Sequence, residues 1–207
     1  MEIKNGIYLI VNPSMHRDTL LIKLEKIISE GIVVVQIWDN FNDNDNILDI
    51  INRIIEICHR ENIPVLINNR WELLREVNID GVHFDVQPND IEAIRRELGR
   101  KVIMGITCNN DLEHVQWANK QKMDYISFCS IFPSSTANSC EFVRFDTVRE
   151  AQKITQIPIF LAGGITPENV GELTYLNCSG IAVVSGIMDS EQPIQEIKKY
   201  KLKLKKT

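Results

Sequence analysis

Hydrophobic positions along the chain fall into two kinds of segment that alternate from one end to the other. Eight short runs are rich in β-branched residues and nearly free of polar positions, which is typical of parallel strands buried on both faces. The eight predicted strands are Ile7–Val11, Val33–Ile37, Pro64–Ile67, Gly81–Phe84, Val102–Ile106, Tyr125–Phe128, Ile159–Ala162 and Ile181–Val184.

Longer segments lie between these runs and carry apolar residues at spacings of three and four, the period of an amphipathic helix. The predicted helices are Leu20–Glu30, Ile47–Glu61, Trp71–Val77, Ile91–Leu98, Leu112–Gln121, Val148–Thr155, Pro167–Leu176 and Pro193–Lys203. Asp111 and Asp146 stand where N-caps are expected, and Pro167 stands where a first helical turn would begin.

Eight strand–helix units without a Gly/Ser-rich linker predict an α/β fold, a single (β/α)8 TIM barrel formed by one domain over residues 1–207. A doubly wound open sheet is the alternative, because periodicity does not show whether the sheet closes. Eight units exceed the usual strand number of that class, so the closed barrel is favoured.

Composition excludes several classes of protein. With 44% hydrophobic and 25% charged residues, the chain is neither low-complexity nor wholly disordered. No apolar run approaches the roughly 20 residues that a membrane helix needs, and the N-terminus shows no signal-peptide pattern. We therefore expect a cytoplasmic protein without a membrane partner.

Cysteine, histidine and charge patterns argue against metal and nucleic-acid sites. The five cysteines are widely spaced with no C-x-x-C pair, so neither a disulfide framework nor a thiolate zinc site is expected. His16, His59 and His114 lack metal-ligand spacing. Six lysines lie at residues 198–206 of an otherwise acidic chain, where a helix dipole favours cations. No nucleic-acid partner is predicted.

Two predicted strands end in glycine-containing turns: Gly163-Gly164 follows the seventh strand, and Ser185-Gly186 follows the eighth. Glycine lets backbone N–H groups approach an anion, and the loops after these two strands commonly form the phosphate site of a barrel. The alternative is that Gly163-Gly164 only turns a tight corner. The pair of turns together favours a phosphate cradle.

One long polar loop, Pro133–Phe145, follows the sixth strand and contains Ser134 and Thr136. Long polar loops on this face of a barrel usually contact ligand or close over it. We therefore include both hydroxyl residues among the candidate pocket residues.

Seven segments, in order and at matching spacings, resemble the thiamine phosphate synthase/TenI family over nearly the full chain. They are Val35–Ile37, Ile67–Asn68, Asp80–His83, Asp124–Ile126, Ser130–Ser134, Ala162–Val170 and Ala182–Ser185. The resemblance implies a (β/α)8 barrel. It also implies one of two activities: synthases join a pyrimidine methyl pyrophosphate to a thiazole phosphate with Mg2+, and TenI-type members isomerise a thiazole carboxylate phosphate without it.

The resemblance also implies roles for individual residues. Gly164 and Ser185, with the backbone of Val184 and Gly186, would hold the thiazole phosphate. Gln36 and Asn68 match positions that line the pyrimidine pocket of the synthases. Thr107 matches a hydroxyl residue near the reacting groups.

Departures from the synthase pattern cluster where pyrophosphate and Mg2+ would bind. Trp38 and Asn40 stand where synthases carry Arg and Lys, and Ala137 lies where a further Lys is expected. Asn69 and Pro88 stand where the acidic Mg2+ ligands are expected. A pocket poor in cations and carboxylates stabilises a pyrophosphate leaving group badly.

Other residues offer compensation. Asp85 or Asp90 would replace a lost carboxylate, and Arg70 or Arg144 would supply charge. Trp38 either stacks on a heteroaromatic ring or fills the space left by pyrophosphate; we favour filling. The candidate pocket residues are Gln36, Trp38, Asn68, Asn69, Arg70, Ser134 and Thr136.

Three hypotheses follow. The first is a divergent TenI-like protein that binds thiazole phosphate or a similar phosphorylated small molecule, with chemistry at Thr107, His83 and Ser130 and with no metal or cofactor. Ser130 stands where TenI-type enzymes have histidine. The second is a Mg2+-dependent thiamine phosphate synthase. The third is a non-catalytic binding or regulatory protein. Family members often self-associate, so a homo-oligomer is possible under all three.

Overall fold

The computed structural model describes residues 3–42, 46–133 and 141–204. Its eight strands are all parallel and pair in chain order into a closed barrel. Closure joins the first strand to the eighth, with Ile7 beside Ile181 and Leu9 beside Val183. The closed (β/α)8 barrel is therefore confirmed, and the open-sheet alternative is wrong.

The strands agree with the apolar runs to within about one residue at each end. They are β1 Gly6–Val11, β2 Ile32–Ile37, β3 Val65–Asn68, β4 Gly81–Phe84, β5 Ile103–Thr107, β6 Tyr125–Phe128, β7 Ile159–Ala162 and β8 Gly180–Val183.

The α-helices are α1 Arg17–Ile27, α2 Ile47–Arg60, α3 Ile91–Leu98, α4 Leu112–Lys120, α5 Phe145–Ile154, α6 Ser185–Met188 and α7 Pro193–Leu204. The amphipathic pattern of α2 shows why they form: its buried residues recur at spacings of three and four and face the sheet. Asn46 caps this helix by accepting a hydrogen bond from the Asp49 N–H at 3.2 Å. Among the described residues, no helix is long and apolar enough to cross a bilayer.

Two of the predicted helices are wrong. The structure has 3-10 helices at Trp71–Arg75 and Val170–Leu176, and a further 3-10 turn, Ile28–Glu30, extends α1. Trp71–Arg75 and Val170–Leu176 have only five and seven residues. The few hydrogen bonds of an α-helix of that length would offset little of the free energy needed to form its first turn. Pro167 consequently precedes a 3-10 segment and does not start an α-helix.

The two predicted N-caps have different outcomes. Asp111 caps α4, with its carboxylate accepting from the Glu113 N–H at 2.8 Å. Asp146 instead lies inside the first turn of α5, whose N-cap is Arg144. An acidic residue in a first turn still interacts favourably with the helix dipole, which explains why the pattern resembled a cap.

Apolar side chains form two layers. The larger layer packs between the strands and the surrounding helices. The smaller layer fills the barrel interior and consists of Tyr8, Val34, Leu66, Ile103, Tyr125, Phe160, Ala162 and Ala182. Each large side chain buried in this way contributes about 1.5–3 kcal/mol, and the inner layer forms the base on which the site stands.

The ring of Tyr125 packs so closely against the neighbouring strand that only glycine fits at the contact position. A Cβ atom at Gly105 would lie 2.0 Å from Cζ of Tyr125, so β5 must carry glycine opposite this ring. Gly171 is the contrasting case, because a Cβ atom there would meet no other atom within 4 Å.

We predict that Gly105→Ala lowers the free energy of unfolding by about 1–3 kcal/mol or more, because the inner layer has no room for a methyl group. The matched change Gly171→Ala should be neutral or stabilise by about 0.4–1 kcal/mol. Urea unfolding monitored by circular dichroism measures both. Equal stability of the two variants would contradict this account of the interior.

Candidate functional site

A cavity of about 420 Å³ opens at the carboxyl ends of the strands. Its floor is polar, because consecutive strands each place one hydrogen-bonding side chain there. These are Gln36 on β2, Asn68 on β3, His83 on β4, Thr107 on β5 and Ser127 on β6. Four of the five lie where the sequence predicted site residues. Ser127 was missed, although a polar residue inside the apolar run Tyr125–Phe128 was the available signal.

Two buried tyrosines lie at the base of this floor. The Tyr8 hydroxyl donates to Oε1 of Gln36 at 2.5 Å and lies 2.8 Å from the Tyr125 hydroxyl. The Tyr125 hydroxyl in turn lies 2.8 Å from Nδ1 of His83. Sequence reasoning treated both tyrosines only as strand aromatics, so it missed their polar role.

The imidazole of His83 links this base to two hydroxyl groups. Its Nε2 lies 2.9 Å from Oγ1 of Thr107, which is 3.1 Å from Oγ of Ser127. Burial lowers the pKa of His83 from its ordinary value of 6.5 to about 4, opposed in part by the negative charge of Asp85. The imidazole is therefore neutral at pH 7.

Asp85 places a carboxylate in the cavity wall. Its two oxygens accept from the side-chain amides of Asn68 at 3.0 Å and Asn69 at 2.8 Å. Asn69 also accepts from the Asp85 N–H at 2.9 Å. Asn69 itself does not line the cavity; it orients the residue that does.

The cation nearest to the predicted pyrophosphate region is already paired. Nε of Arg70 lies 2.6 Å from Oδ1 of Asp39, and its guanidinium carbon lies 5.2 Å from the ring centroid of Phe41. Arg70 does not line the cavity, whereas Trp38 does. No described Lys or Arg lines the cavity, and the undescribed segments 43–45 and 134–140 contain neither residue type.

Opposite the floor, the turns after β7 and β8 line the same cavity. Within the described residues, no acceptor is found for the backbone N–H groups of Gly164, Ser185 and Gly186. Ser185 begins α6, and Val184 and Gly163 also line the wall. All five predicted phosphate residues thus meet at one wall, with N–H groups available to an anion.

The backbone conformation and close packing after β7 also require glycine at two consecutive positions. Gly163 and Gly164 have φ values of 89° and 64°, a region that other residues rarely adopt. A Cβ atom at Gly164 would lie 2.3 Å from the Pro133 carbonyl oxygen. The tight corner is therefore present and the cradle stays a prediction, so substitution at Gly164 would disturb the turn whether or not it binds phosphate.

Ser130 is not brought together with Thr107 and His83. It is fully buried, its hydroxyl donates to the Phe132 carbonyl at 2.8 Å, and it does not line the cavity. Its catalytic role stays a prediction without a geometric partner. Ser134 and Thr136 lie outside the described residues.

No group of three or more His, Cys, Asp or Glu side chains among the described residues is placed to hold a metal ion. Asp85 is the only carboxylate among the described residues that line the cavity.

Together these features define a (β/α)8 barrel whose cavity has a polar floor and glycine-containing turns after β7 and β8. The chain matches the family described as thiamine monophosphate synthase over residues 7–187, and it belongs to that family.

Named relatives agree with this assignment. The chain is 32% identical to thiamine-phosphate synthase 1 of Aquifex aeolicus, over 93% of this chain and 91% of that protein. It is 32% identical to the thiamine-phosphate synthase of Prochlorococcus marinus over 93% of this chain, and it spans about half (54%) of that longer protein. The solved thiamine phosphate pyrophosphorylase of Pyrococcus furiosus has the same fold, with a TM-score of 0.82 at 20% identity over 98% and 96% of the two chains.

The lowered pKa of His83 predicts a pH dependence of stability. The unfolded imidazole takes up a proton near pH 6.5 and the folded one only near pH 4. The free energy of unfolding should therefore fall as the pH is lowered through this window. Denaturant unfolding at stepped pH values should show a shallower decline for His83→Asn than for the wild type.

The matched control is His114→Asn, at a histidine whose side chain is 37% exposed and which does not line the cavity; it shows the effect of losing a histidine elsewhere in the chain. An identical pH dependence for His83→Asn and the wild type would contradict a neutral, buried His83.

Proposed function

We propose that the protein is a thiamine phosphate synthase, which joins a pyrimidine methyl pyrophosphate to a thiazole phosphate with Mg2+. The observation that carries this proposal is that the phosphate cradle and the polar floor line one cavity. The names of the relatives support it. It is preferred here to the divergent TenI-like protein favoured by the sequence departures, because the relatives are named as synthases.

In this proposal the thiazole phosphate occupies the cradle. The backbone N–H groups of Gly164, Ser185 and Gly186 donate to its oxygens, and the Ser185 hydroxyl adds a fourth donor. Such donors bind a phosphate without requiring a cation. The pyrimidine ring lies on the floor against Gln36 and Asn68.

The reaction exchanges one bond for another. The bond between the methylene carbon and the pyrophosphate oxygen breaks, and its electron pair leaves with pyrophosphate. The ring nitrogen of the thiazole forms a new bond to that carbon. Holding both rings in one enclosed cavity brings the reacting atoms together.

The described lining residues offer Mg2+ a single carboxylate ligand. This ion is commonly held by one or two carboxylates together with substrate phosphates, and Asp85 supplies one carboxylate at the cavity wall. When bound there, Mg2+ would neutralise charge on the departing pyrophosphate, for which no described lining cation is available. Asp90 is unsuited, because its carboxylate accepts from the Ala93 N–H at 2.8 Å and caps α3.

A second candidate is the TenI-like function, in which thiazole phosphate or a similar ligand binds and pyrophosphate is not handled. The observation that favours it is that the described lining residues around Trp38 include no Lys or Arg. Under this candidate Trp38 fills the space that pyrophosphate would need. A purely binding role would share the same cradle but show no turnover.

The synthase proposal predicts that the protein, supplied with both substrates and Mg2+, forms thiamine phosphate and pyrophosphate in equal amounts. Chelation by EDTA should abolish the reaction. Asp85→Asn should lower kcat/KM by about 100-fold, because the carboxylate that holds the ion is lost. Chromatographic detection of thiamine phosphate measures both effects.

Asp90→Asn is the matched control and should retain kcat/KM within a few-fold. Binding of thiazole phosphate without any product at any Mg2+ concentration would contradict the synthase and favour the second candidate.

The cradle is tested separately at its one side-chain donor. Ser185→Ala should weaken thiazole phosphate binding by about tenfold, the loss of one hydrogen bond to a charged group. The free energy of unfolding should change little. Calorimetric titration of Ser185→Ala and of the control Ser190→Ala, which lies outside the cavity lining, provides the comparison. An unchanged Kd for Ser185→Ala would show that the Ser185 hydroxyl does not bind the phosphate.

A further inference from the structure

Five hydrogen bonds run in series through the cavity floor. They connect six side chains from five strands in the order Ser127, Thr107, His83, Tyr125, Tyr8 and Gln36. All six are buried or nearly so. Because each hydroxyl has a single proton, the direction of one bond constrains the direction of the next.

The direction is set at the Gln36 end. The carbonyl oxygen Oε1 of Gln36 only accepts, so the Tyr8 hydroxyl donates to it at 2.5 Å. The proton of Tyr8 is then used, and across the 2.8 Å contact its oxygen accepts from the Tyr125 hydroxyl. The proton of Tyr125 is used in the same way.

The direction of these hydrogen bonds fixes the position of the proton on the His83 imidazole. With the Tyr125 proton directed at Tyr8, the 2.8 Å contact between Tyr125 and Nδ1 of His83 requires a proton on Nδ1. A neutral imidazole carries one proton, so Nε2 is bare and accepts from Thr107 at 2.9 Å. Thr107 then accepts from Ser127 at 3.1 Å.

A neutral imidazole is what this environment favours. His83 is 5% exposed, and burial disfavours its charged form. Its two ring nitrogens contact the uncharged hydroxyls of Tyr125 and Thr107. The carboxylate of Asp85 is bonded instead to the side-chain amides of Asn68 and Asn69.

The direction of the chain decides what the floor offers to a ligand. Gln36 lines the cavity, and its side-chain oxygen is used by Tyr8. Its amide nitrogen is the group left to donate to a ligand. Thr107 and Ser127 have used their protons and offer lone pairs.

We propose that Tyr8, Tyr125 and His83 are positioning residues that fix the hydrogen-bonding polarity of the floor, so that Gln36 presents an N–H donor and Thr107 and Ser127 present acceptors. The ligand side of this inference rests on the proposed function. The direction of the chain and the tautomer of His83 do not.

The chain has an acceptor end and a donor end, and changes at the two ends have opposite consequences. In Tyr8→Phe the Tyr125 hydroxyl loses its acceptor and is free to donate to Nδ1 of His83. The imidazole proton then moves to Nε2 and is donated to Thr107, which inverts the chain. In Ser127→Ala the Tyr125 hydroxyl still donates to Tyr8, so His83 keeps its proton on Nδ1.

The two variants form a matched pair, because each removes one buried hydroxyl group. Long-range proton–nitrogen NMR on 15N-histidine-labelled protein at pH 7.5 distinguishes the two tautomers, with the His83 signals assigned from their loss in His83→Asn. We expect a proton on Nδ1 in the wild type and in Ser127→Ala, and on Nε2 in Tyr8→Phe. A proton on Nε2 in the wild type, or on Nδ1 in Tyr8→Phe, would overturn the proposal.

A second variant covers the case in which Tyr8→Phe does not fold. Gln36→Leu removes the acceptor of Tyr8, which then donates to Tyr125, so it too should move the imidazole proton to Nε2. If His83 keeps its proton on Nδ1 in Gln36→Leu, the proposed direction of the hydrogen bonds is wrong.

Kinetics then test the ligand side. Tyr8→Phe should raise KM for the pyrimidine pyrophosphate by about tenfold through the loss of a fixed donor at Gln36, with thiazole phosphate affinity unchanged. If the protein does not couple the two substrates, the proposed function is wrong. The NMR measurement still tests the direction of the hydrogen bonds. An unchanged KM in an active enzyme with inverted tautomer would show that the floor polarity does not select the ligand.

Discussion

The hydrogen bond between Tyr8 and Tyr125 is the contact on which the rest of the site depends. It spans the barrel interior from β1 to β6 at 2.8 Å, between side chains that are 1% and 0% exposed. Buried phenols are costly unless their hydroxyls are paired, so this bond holds both rings in one arrangement. Phe160 packs edge-on against both, with ring centroids 5.5 and 5.8 Å away.

This base explains the division of the cavity into two unlike walls. The floor above the tyrosines is neutral, because burial lowers the pKa of His83 and raises that of Tyr8. The opposite wall offers backbone N–H groups at Gly164, Ser185 and Gly186. A ligand with an uncharged ring at one end and a phosphate at the other matches this arrangement.

The sequence predicted the strands well, because a strand buried on both faces must be almost wholly apolar. It also predicted closure, but from the number of strand–helix units, because the pairing of β1 with β8 leaves no periodic signal. The spacing of apolar residues in Trp71–Arg75 and Val170–Leu176 suits a 3-10 helix nearly as well as an α-helix, so pattern alone misassigned them.

The site could be predicted only in part, for similar reasons. Strand-end positions such as Gln36 and Thr107 follow from the barrel and the family resemblance. The pairing of Arg70 with Asp39 depends on loop geometry, so the sequence placed Arg70 in the pocket although it does not line the cavity. Ser130 contacts Phe132 and lies against Gly163, so its side chain is turned away from the cavity, an orientation that the resemblance alone does not give.

No described Lys or Arg lines the cavity, and Asp85 is the one carboxylate among its described lining residues, so binding of the pyrimidine pyrophosphate by the proposed synthase should require Mg2+. Calorimetric titration of the wild-type protein with the pyrimidine pyrophosphate, with and without Mg2+, is the decisive measurement. Binding is expected only when Mg2+ is present. If pyrophosphate binds in neither condition to a protein that still binds thiazole phosphate, the synthase proposal is wrong.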